Sequence, residues 1–247
     1  MRPTAIRAIT FDLDDTLWPI APVMQRAERH LDAWLRAHCP RTAAAYPVEA
    51  MRALRGDRVA IDNPQLAHDF SAQRRLSLRE ALLSHGYGEA HVDAAFAAFY
   101  AERNRVECYA DALPALERLA ARYPLAAITN GNADLDAIGV GGRFRFALRA
   151  STFGMAKPAA DIFHAACEKF SLAPGEVLHV GDDPQLDVIG AHRAGLRSVW
   201  LHRGSMSWED ASGQSDVRPD LIVRDLAELV GVLDSQRGTI FNVGESG

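Results

Sequence analysis

Two textures of hydrophobic and polar positions alternate along this chain. From residue 19 to about 107 the recurring positions keep helical spacing, with Met24, Ala27, Leu31, Trp34 and Leu35 in one stripe and Val92, Phe96, Phe99, Arg103 and Val106 in another. A third apolar-faced segment, 76–84, stops at His85-Gly86, and no strand interrupts the block. These stripes are read as core packing. From Tyr109 the pattern changes to helices at 113–122, 159–170, 185–194 and 226–233, interleaved with short strands at 125–129, 146–150, 176–181, 197–201 and 220–223. Short, continuously apolar strands separated by amphipathic helices predict an α/β fold, a parallel sheet covered on both faces. One further apolar run begins about five residues from the amino terminus and closes at Phe11-Asp12-Leu13-Asp14-Asp15-Thr16-Leu17, so the helical block is an insertion after strand one. The expected division is 1–18 core, 19–107 helical insertion, 108–234 core and 235–247 a polar, mobile tail unless Ile240 and Phe241 dock.

Composition narrows the partners. At 247 residues, 48% hydrophobic and 24% charged, the chain has the make-up of a packed globular protein with room for an inserted module. A net charge of −5 and a pI near 6.0 argue against nucleic acid or an anionic membrane as principal partner, because either needs a dense cationic surface. Cys39, Cys108 and Cys167 are far apart and form no C-x-x-C pair, which suggests neither a disulfide framework nor a thiolate zinc site. No signal-like segment precedes the first strand and no apolar run approaches a membrane span, so a cytoplasmic protein, monomer or homodimer, is expected. The nine histidines show no ligand spacing, and none is assigned to a metal; His179, inside a strand, is read as core.

Open parallel sheets bind ligands at the carboxyl ends of their strands. Strand one ends in Asp12, Asp14 and Thr16, and residues two apart on a strand share a face, so Asp12 and Asp14 can converge while Asp15 points away. A second strand ends in Thr129-Asn130-Gly131-Asn132, a loop carries Lys157-Pro158, and a third strand ends in Gly181-Asp182-Asp183 with Asp187 beyond. Singly, each reads as a turn, a solvated loop or a helix cap. Jointly they supply a nucleophile, a hydroxyl donor, a fixed cation and a carboxylate cluster. Gly139-Val140-Gly141-Gly142 does not follow a strand and open a helix, and is read as a loop.

The ordered set FDLDDT, AITNGN, AKP and HVGDDPQLD resembles the four motifs of the haloacid dehalogenase-like hydrolase superfamily and spans the core end to end. The resemblance implies a three-layer Rossmann-like core, with the helical insertion as the superfamily's first cap type, closing over the site and selecting the substrate. The residues suit hydrolysis of a phosphate monoester, whose charged oxygens repel a nucleophile unless neutralised. Asp12 is the candidate nucleophile, forming an aspartyl-phosphate, and Asp14 the candidate acid and base. Hard oxygens from Asp12, the Asp14 carbonyl and Asp182 suit Mg²⁺. Thr129, the Asn130 backbone N–H and Lys157 are expected to hold the phosphoryl group. Asp187 is expected to orient Lys157 or a metal-bound water. Thr16 and Asp183 are placed behind the ligands, with a cap role open for Asp183 and preferred for Asp15.

Rival readings differ at particular residues. A 2-haloacid dehalogenase also uses an aspartate nucleophile, but family dehalogenases lack the second aspartate of the first motif, here Asp14. A phosphonatase is expected to carry a cap lysine, and 19–107 contains none. A receiver-like signalling domain puts its acidic pair first and its phosphoacceptor on a later strand; a silent phosphate-binding relative conflicts with the filled motif positions. FDLDDTLW, AITNGNA, ALRAS and LHVGDDPQLDVIGAHRAG further resemble the bacterial branch that dephosphorylates flavin mononucleotide and the ribitylamino-uracil phosphate of riboflavin biosynthesis, which implies a small phosphorylated metabolite. Arg74, Arg75, Arg79, Arg103 and Arg105 either contact substrate or, as charged helix positions usually do and as is expected here, face solvent. Trp18 either stacks on an aromatic substrate or fills the hinge.

Overall fold

The structure, a computed structural model, describes residues 5–235; residues 236–247 of the expected tail, with Ile240 and Phe241, lie outside the described residues. The chain forms two compact units. One comprises the chain up to Trp18, Cys108–Gly131 and everything described from Val140 on; the other comprises Pro19–Glu107 and Asn132–Gly139.

The first unit is built on six strands: β1 (Ala8–Phe11), β2 (Leu125–Thr129), β3 (Phe146–Arg149), β4 (Val177–Gly181), β5 (Arg197–Leu201) and β6 (Leu221–Val223). All pair in parallel, in the order β3-β2-β1-β4-β5-β6. Every residue of β1, β2 and β4 is buried. That is the signature of a sheet covered on both faces, and it explains why these strands read as continuous apolar runs rather than alternating ones. Register aligns Phe11 with Ala127 on one side and Val180 on the other, so the carboxyl ends of the three central strands finish together. The strand order reverses about β1, the usual ligand position in such sheets. Beneath them, Ile162, Phe163 and Ala166 of helix Ala160–Phe170 pack with Ala8, Ile128, Leu148 and Val177.

The segment expected as one helix over 185–194 is divided. A π-helical turn over Pro184–Ile189 precedes a short helix Gly190–Arg193, and the Val188 N–H reaches back five residues to the Asp183 carbonyl (3.4 Å). Asp183 caps this turn, its carboxylate accepting from Gln185 N and Leu186 N at 2.8 Å each, with Pro184 at the first position where no N–H is needed. Wide turns of this kind recur at functional sites.

The second unit packs helices Ile20–His38, Phe70–Leu83 and Glu89–Arg103 around Leu31, Leu35, Leu78, Leu82, Phe96 and Phe99. Two of the five arginines expected to face solvent do not. Arg74 and Arg103 are buried, at 3% and 1% exposure. Arg74 is neutralised by Glu28 (2.7 and 3.2 Å) and lies over the Phe99 ring, while Arg103 Nε donates to Asn132 Oδ1 (3.1 Å). Arg75 and Arg79 keep exposed ion pairs with Asp93 and Glu89, and the exposed Arg105 pairs with the buried Glu102.

Residues 132–139, read from sequence as core, belong with the helices because Asn132 and Asp134 are tied there. Asn132 Nδ2 donates to Ser71 Oγ (3.0 Å), Tyr100 Oη donates to the Asn132 carbonyl (3.0 Å), and Asp134 N donates to Asn104 Oδ1 (2.8 Å). Among the described residues no helix is long and apolar enough to cross a membrane.

Candidate active site

The strand ends gather acids around one buried cation. Asp12 follows β1 and donates its backbone N–H to the Val180 carbonyl (2.9 Å), which fixes it beside β4. Lys157, only 3% exposed, sends Nζ to Asp12 Oδ1 and Asp187 Oδ1, both at 2.5 Å. Its backbone is clamped by Asn130: Lys157 N donates to Asn130 Oδ1 (2.8 Å) and Asn130 Nδ2 donates to the Lys157 carbonyl (2.9 Å). Two hydrogen bonds from one amide side chain leave the Lys157 loop little freedom relative to the end of β2.

Asp187 is the hub on the other side of the ammonium. Its carboxylate also contacts His179 Nε2 (3.1 Å) and accepts from the Asp183 N–H (3.0 Å), while His179 Nδ1 meets Thr10 Oγ1 at 2.8 Å. Gly181 leaves the space this requires, for a Cβ there would lie 2.2 Å from Asp187 Cγ. His179 thus does more than fill the core, a role its place in an apolar strand conceals.

Asp182 is held separately. Thr16 Oγ1 donates to Asp182 Oδ1 (2.9 Å), and Trp200 Nε1 donates to the Asp182 carbonyl (2.8 Å). Oxygens of Asp12, Asp182 and Asp187 lie within 4.8 Å of one another, a grouping able to hold a metal ion. Asp14 is not in that carboxylate group. Its Oδ1 accepts from Trp18 Nε1 (2.8 Å), in the turn that follows the end of β1. Trp18 is fully buried against the core and serves Asp14, a role that its position in the sequence did not distinguish from stacking or hinge filling. Thr129 is buried at the end of β2, with Oγ1 accepting from Gly131 N (2.9 Å).

Electrostatics follow from this crowding. Burial, together with Asp187 and Asp182, pushes Asp12 well above the ordinary carboxylate range despite the opposing Lys157 charge. Burial and the Asp187 charge raise Asp182 to about 7. Burial works against ionisation of Asp187 too, but Lys157 and His179 outweigh it and hold that carboxylate below its usual range. Burial alone would lower Lys157; the Asp12 and Asp187 charges reverse the sign and raise it. Burial lowers His179, against the opposing pull of the Asp187 carboxylate.

A parallel α/β sheet that presents acids, a threonine and a buried lysine at its central carboxyl ends defines an enzyme of anion chemistry. Residues 6–195 match the haloacid dehalogenase-like hydrolase family, and the chain belongs to that family. It is 35% identical to the 5-amino-6-(5-phospho-D-ribitylamino)uracil phosphatase YigB of Escherichia coli (strain K12) over 92% of this chain and 96% of the relative. It is 28% identical to the glyceraldehyde 3-phosphate phosphatase of Methanopyrus kandleri over 92% of this chain and 97% of the relative. Among solved structures, a 2-haloacid dehalogenase from Pseudomonas syringae pv. Tomato DC3000 superposes with a TM-score of 0.85 at 35% identity, covering 93% of this chain and 99% of that one.

Proposed function

We propose that the protein is a magnesium-dependent phosphatase that hydrolyses a small-molecule phosphate monoester through an aspartyl-phosphate on Asp12. The observation that carries this reading is the Lys157 ammonium bridging Asp12 and Asp187 at 2.5 Å, beside Asp182. Three clustered acids against one lysine leave surplus negative charge, the condition under which burial raises Asp12 and Asp182. The donors are hard oxygens, which suits Mg²⁺ held by Asp12, Asp182 and the Asp14 carbonyl. Asp187 already engages Lys157, His179 and the Asp183 N–H, and acts as the anchor of the lysine. When bound, the cation supplies positive charge that lets Asp12 and a phosphate approach one another.

Asp12 then attacks phosphorus through Oδ2, Oδ1 being held by Lys157. Asp14, oriented by the Trp18 indole, gives its proton to the leaving oxygen and afterwards takes one from the water that hydrolyses the acyl phosphate, restoring Asp12 and releasing phosphate. The Thr129 hydroxyl and the Asn130 N–H hold the transferring oxygens, and Lys157 balances their developing charge. The relation to the ribitylamino-uracil phosphatase supports a riboflavin-pathway phosphate as substrate, and the motif resemblance adds flavin mononucleotide as a candidate. Phosphate release from a panel of metabolites and a generic aryl phosphate, with and without Mg²⁺, tests the reading. The expected result is magnesium-dependent turnover that Asp12→Asn abolishes; turnover of sugar phosphates far above the flavin and uracil compounds removes the riboflavin assignment alone.

A second reading, a 2-haloacid dehalogenase, draws on the Pseudomonas syringae structure. Carbon–halogen cleavage leaves no alkoxide to protonate, so it gives Asp14 and its tryptophan partner nothing to do. Metal-independent halide release from a 2-halopropionate, without phosphatase activity, would replace the first reading with this one.

A further inference from the structure

The turn that carries Asp14 holds an unfavourable backbone. Asp15 sits at φ 61°, in the left-handed region that residues with a side chain enter at a cost, and such conformations persist where neighbours over-determine them. Here the neighbours come from two other parts of the first unit. Arg203, just beyond β5, forks its guanidinium onto Asp111 (Nη1 to Oδ1 3.0 Å, Nη2 to Oδ2 2.8 Å), and Nη2 also donates to the Thr16 carbonyl (3.3 Å). The same guanidinium lies over the Tyr109 ring at 3.8 Å, and the Tyr109 N–H donates to the Leu17 carbonyl (2.9 Å). Asp111 is itself fixed by the Leu226 N–H (2.8 Å).

Thr16 is the residue whose hydroxyl holds Asp182 Oδ1, and Trp200, on β5, holds the Asp182 carbonyl. The carboxyl end of β5 therefore supports both halves of the Thr16–Asp182 link, one through an indole and the other through a guanidinium. We propose that Arg203, pinned by Asp111, is a positioning residue that sets the Thr16 turn and through it aims the Asp182 carboxylate at the cation. This rests on the metal-dependent reading above. Arginine alone suits this position, because a lysine ammonium has no planar fork with which to grip both carboxylate oxygens and a carbonyl at once.

The test is direct Mn²⁺ binding, read by electron paramagnetic resonance on the full chain without substrate, alongside thermal melting. Arg203→Met weakens Mn²⁺ binding about tenfold, the scale on which residues behind metal ligands act. Thr16→Val reproduces the loss and Thr16→Ser does not. The double variant Arg203→Met/Thr16→Val is within about twofold of Thr16→Val alone, because both act through one link. Arg197→Met is the control: it breaks an ion pair with Asp220 at the opposite end of the same strand, of similar exposure and length (2.7 Å), and leaves Mn²⁺ binding unchanged. Should Arg203→Met not fold, Arg203→Lys and Asp111→Asn carry the same expectation. Wild-type affinity in the Arg203 variants, equal loss in Arg197→Met, or additive losses with Thr16→Val would each overturn the inference. A wild-type chain that binds no Mn²⁺, or binds it undisturbed by Asp182→Asn, overturns instead the metal reading beneath it.

Discussion

Gly181 and Asp187 occupy what is almost one space: a Cβ on Gly181 would lie 2.2 Å from Asp187 Cγ and 2.3 Å from Oδ2. The absent side chain lets the Asp187 carboxylate lie against β4, where it meets Lys157, His179 and the Asp183 N–H together. A methyl group at 181 has backbone on one side and a fully engaged carboxylate on the other, so the carboxylate must move. Gly181→Ala is expected to release Lys157 from its anchor and lower kcat about a hundredfold, the scale of an ångström-sized misplacement of a catalytic group. Phosphate release from an aryl phosphate, with circular dichroism to establish folding, measures it; near-normal kcat would mean that Asp187 does not set the position of Lys157.

Asn130 reaches Lys157 through the main chain. Its amide closes a ring with the Lys157 N–H and carbonyl (2.8 and 2.9 Å), so truncation frees the loop without touching the ammonium. Asn130→Ala is expected to lower kcat and kcat/KM together by about tenfold, as loss of an interaction made chiefly in the transition state does. Asn130→Asp keeps the acceptor but turns a negative oxygen toward the Lys157 carbonyl, and should be no better than alanine. A rise in KM with unchanged kcat would assign Asn130 to substrate binding instead.

Much of the first unit was legible because its central strands are buried on both faces. β2 at 125–129 and β5 at 197–201 fall where their apolar runs do, and the residues after each strand name Asp12, Thr129 and Asp182 as neighbours before any distance is known. What stayed hidden depends on partners remote in the chain. Nothing local distinguishes Arg74, buried against Glu28 from another helix, from Arg75, whose partner is exposed. Asn132 follows Thr129 by three residues and shares its motif, yet its hydrogen bonds go to Ser71, Tyr100 and Arg103. His179 reads as one more apolar-strand position because its partners, Thr10 and Asp187, come from another strand and a later turn.

The helical unit carries its own pH dependence at Glu28. Burial would raise this carboxyl, but hydrogen bonds and charge from Arg74, and then Arg55, outweigh it and hold Glu28 below the ordinary range. Burial lowers Arg74 to about 10, still charged at neutral pH. An acid whose folded value is depressed contributes stability above its unfolded value and loses that contribution as pH falls through the folded one. Melting of the chain is therefore expected to weaken below about pH 4.5, the ordinary glutamate range. Glu28→Gln should flatten that decline while costing about 3 kcal/mol at pH 7, because it strands a buried guanidinium. Unchanged acid sensitivity in Glu28→Gln would place the decline in other carboxylates.

Asp182 has the opposite sign. Burial, then the Asp187 charge, raise it to about 7, above its unfolded value, so in the metal-free chain it favours the fold while protonated and loses that contribution as pH rises toward and through 7. The metal-free protein should accordingly melt higher at pH 5.5 than at pH 8 as far as this group is concerned. Asp182→Asn, which removes the charge and keeps an oxygen for the Thr16 hydroxyl, should raise the melting temperature at pH 8 and raise it less at pH 5.5, midway between the unfolded and folded values. A cation competes with the proton for the same carboxylate, so apparent Mg²⁺ affinity should fall by up to about tenfold per pH unit below 7. The stabilised Asp182→Asn chain should at the same time lose magnesium activation. Melting curves at the two pH values, with and without Mg²⁺, separate these effects, and an Asp182→Asn chain that melts lower than wild type at pH 8 without metal would show that the carboxylate is not under electrostatic strain.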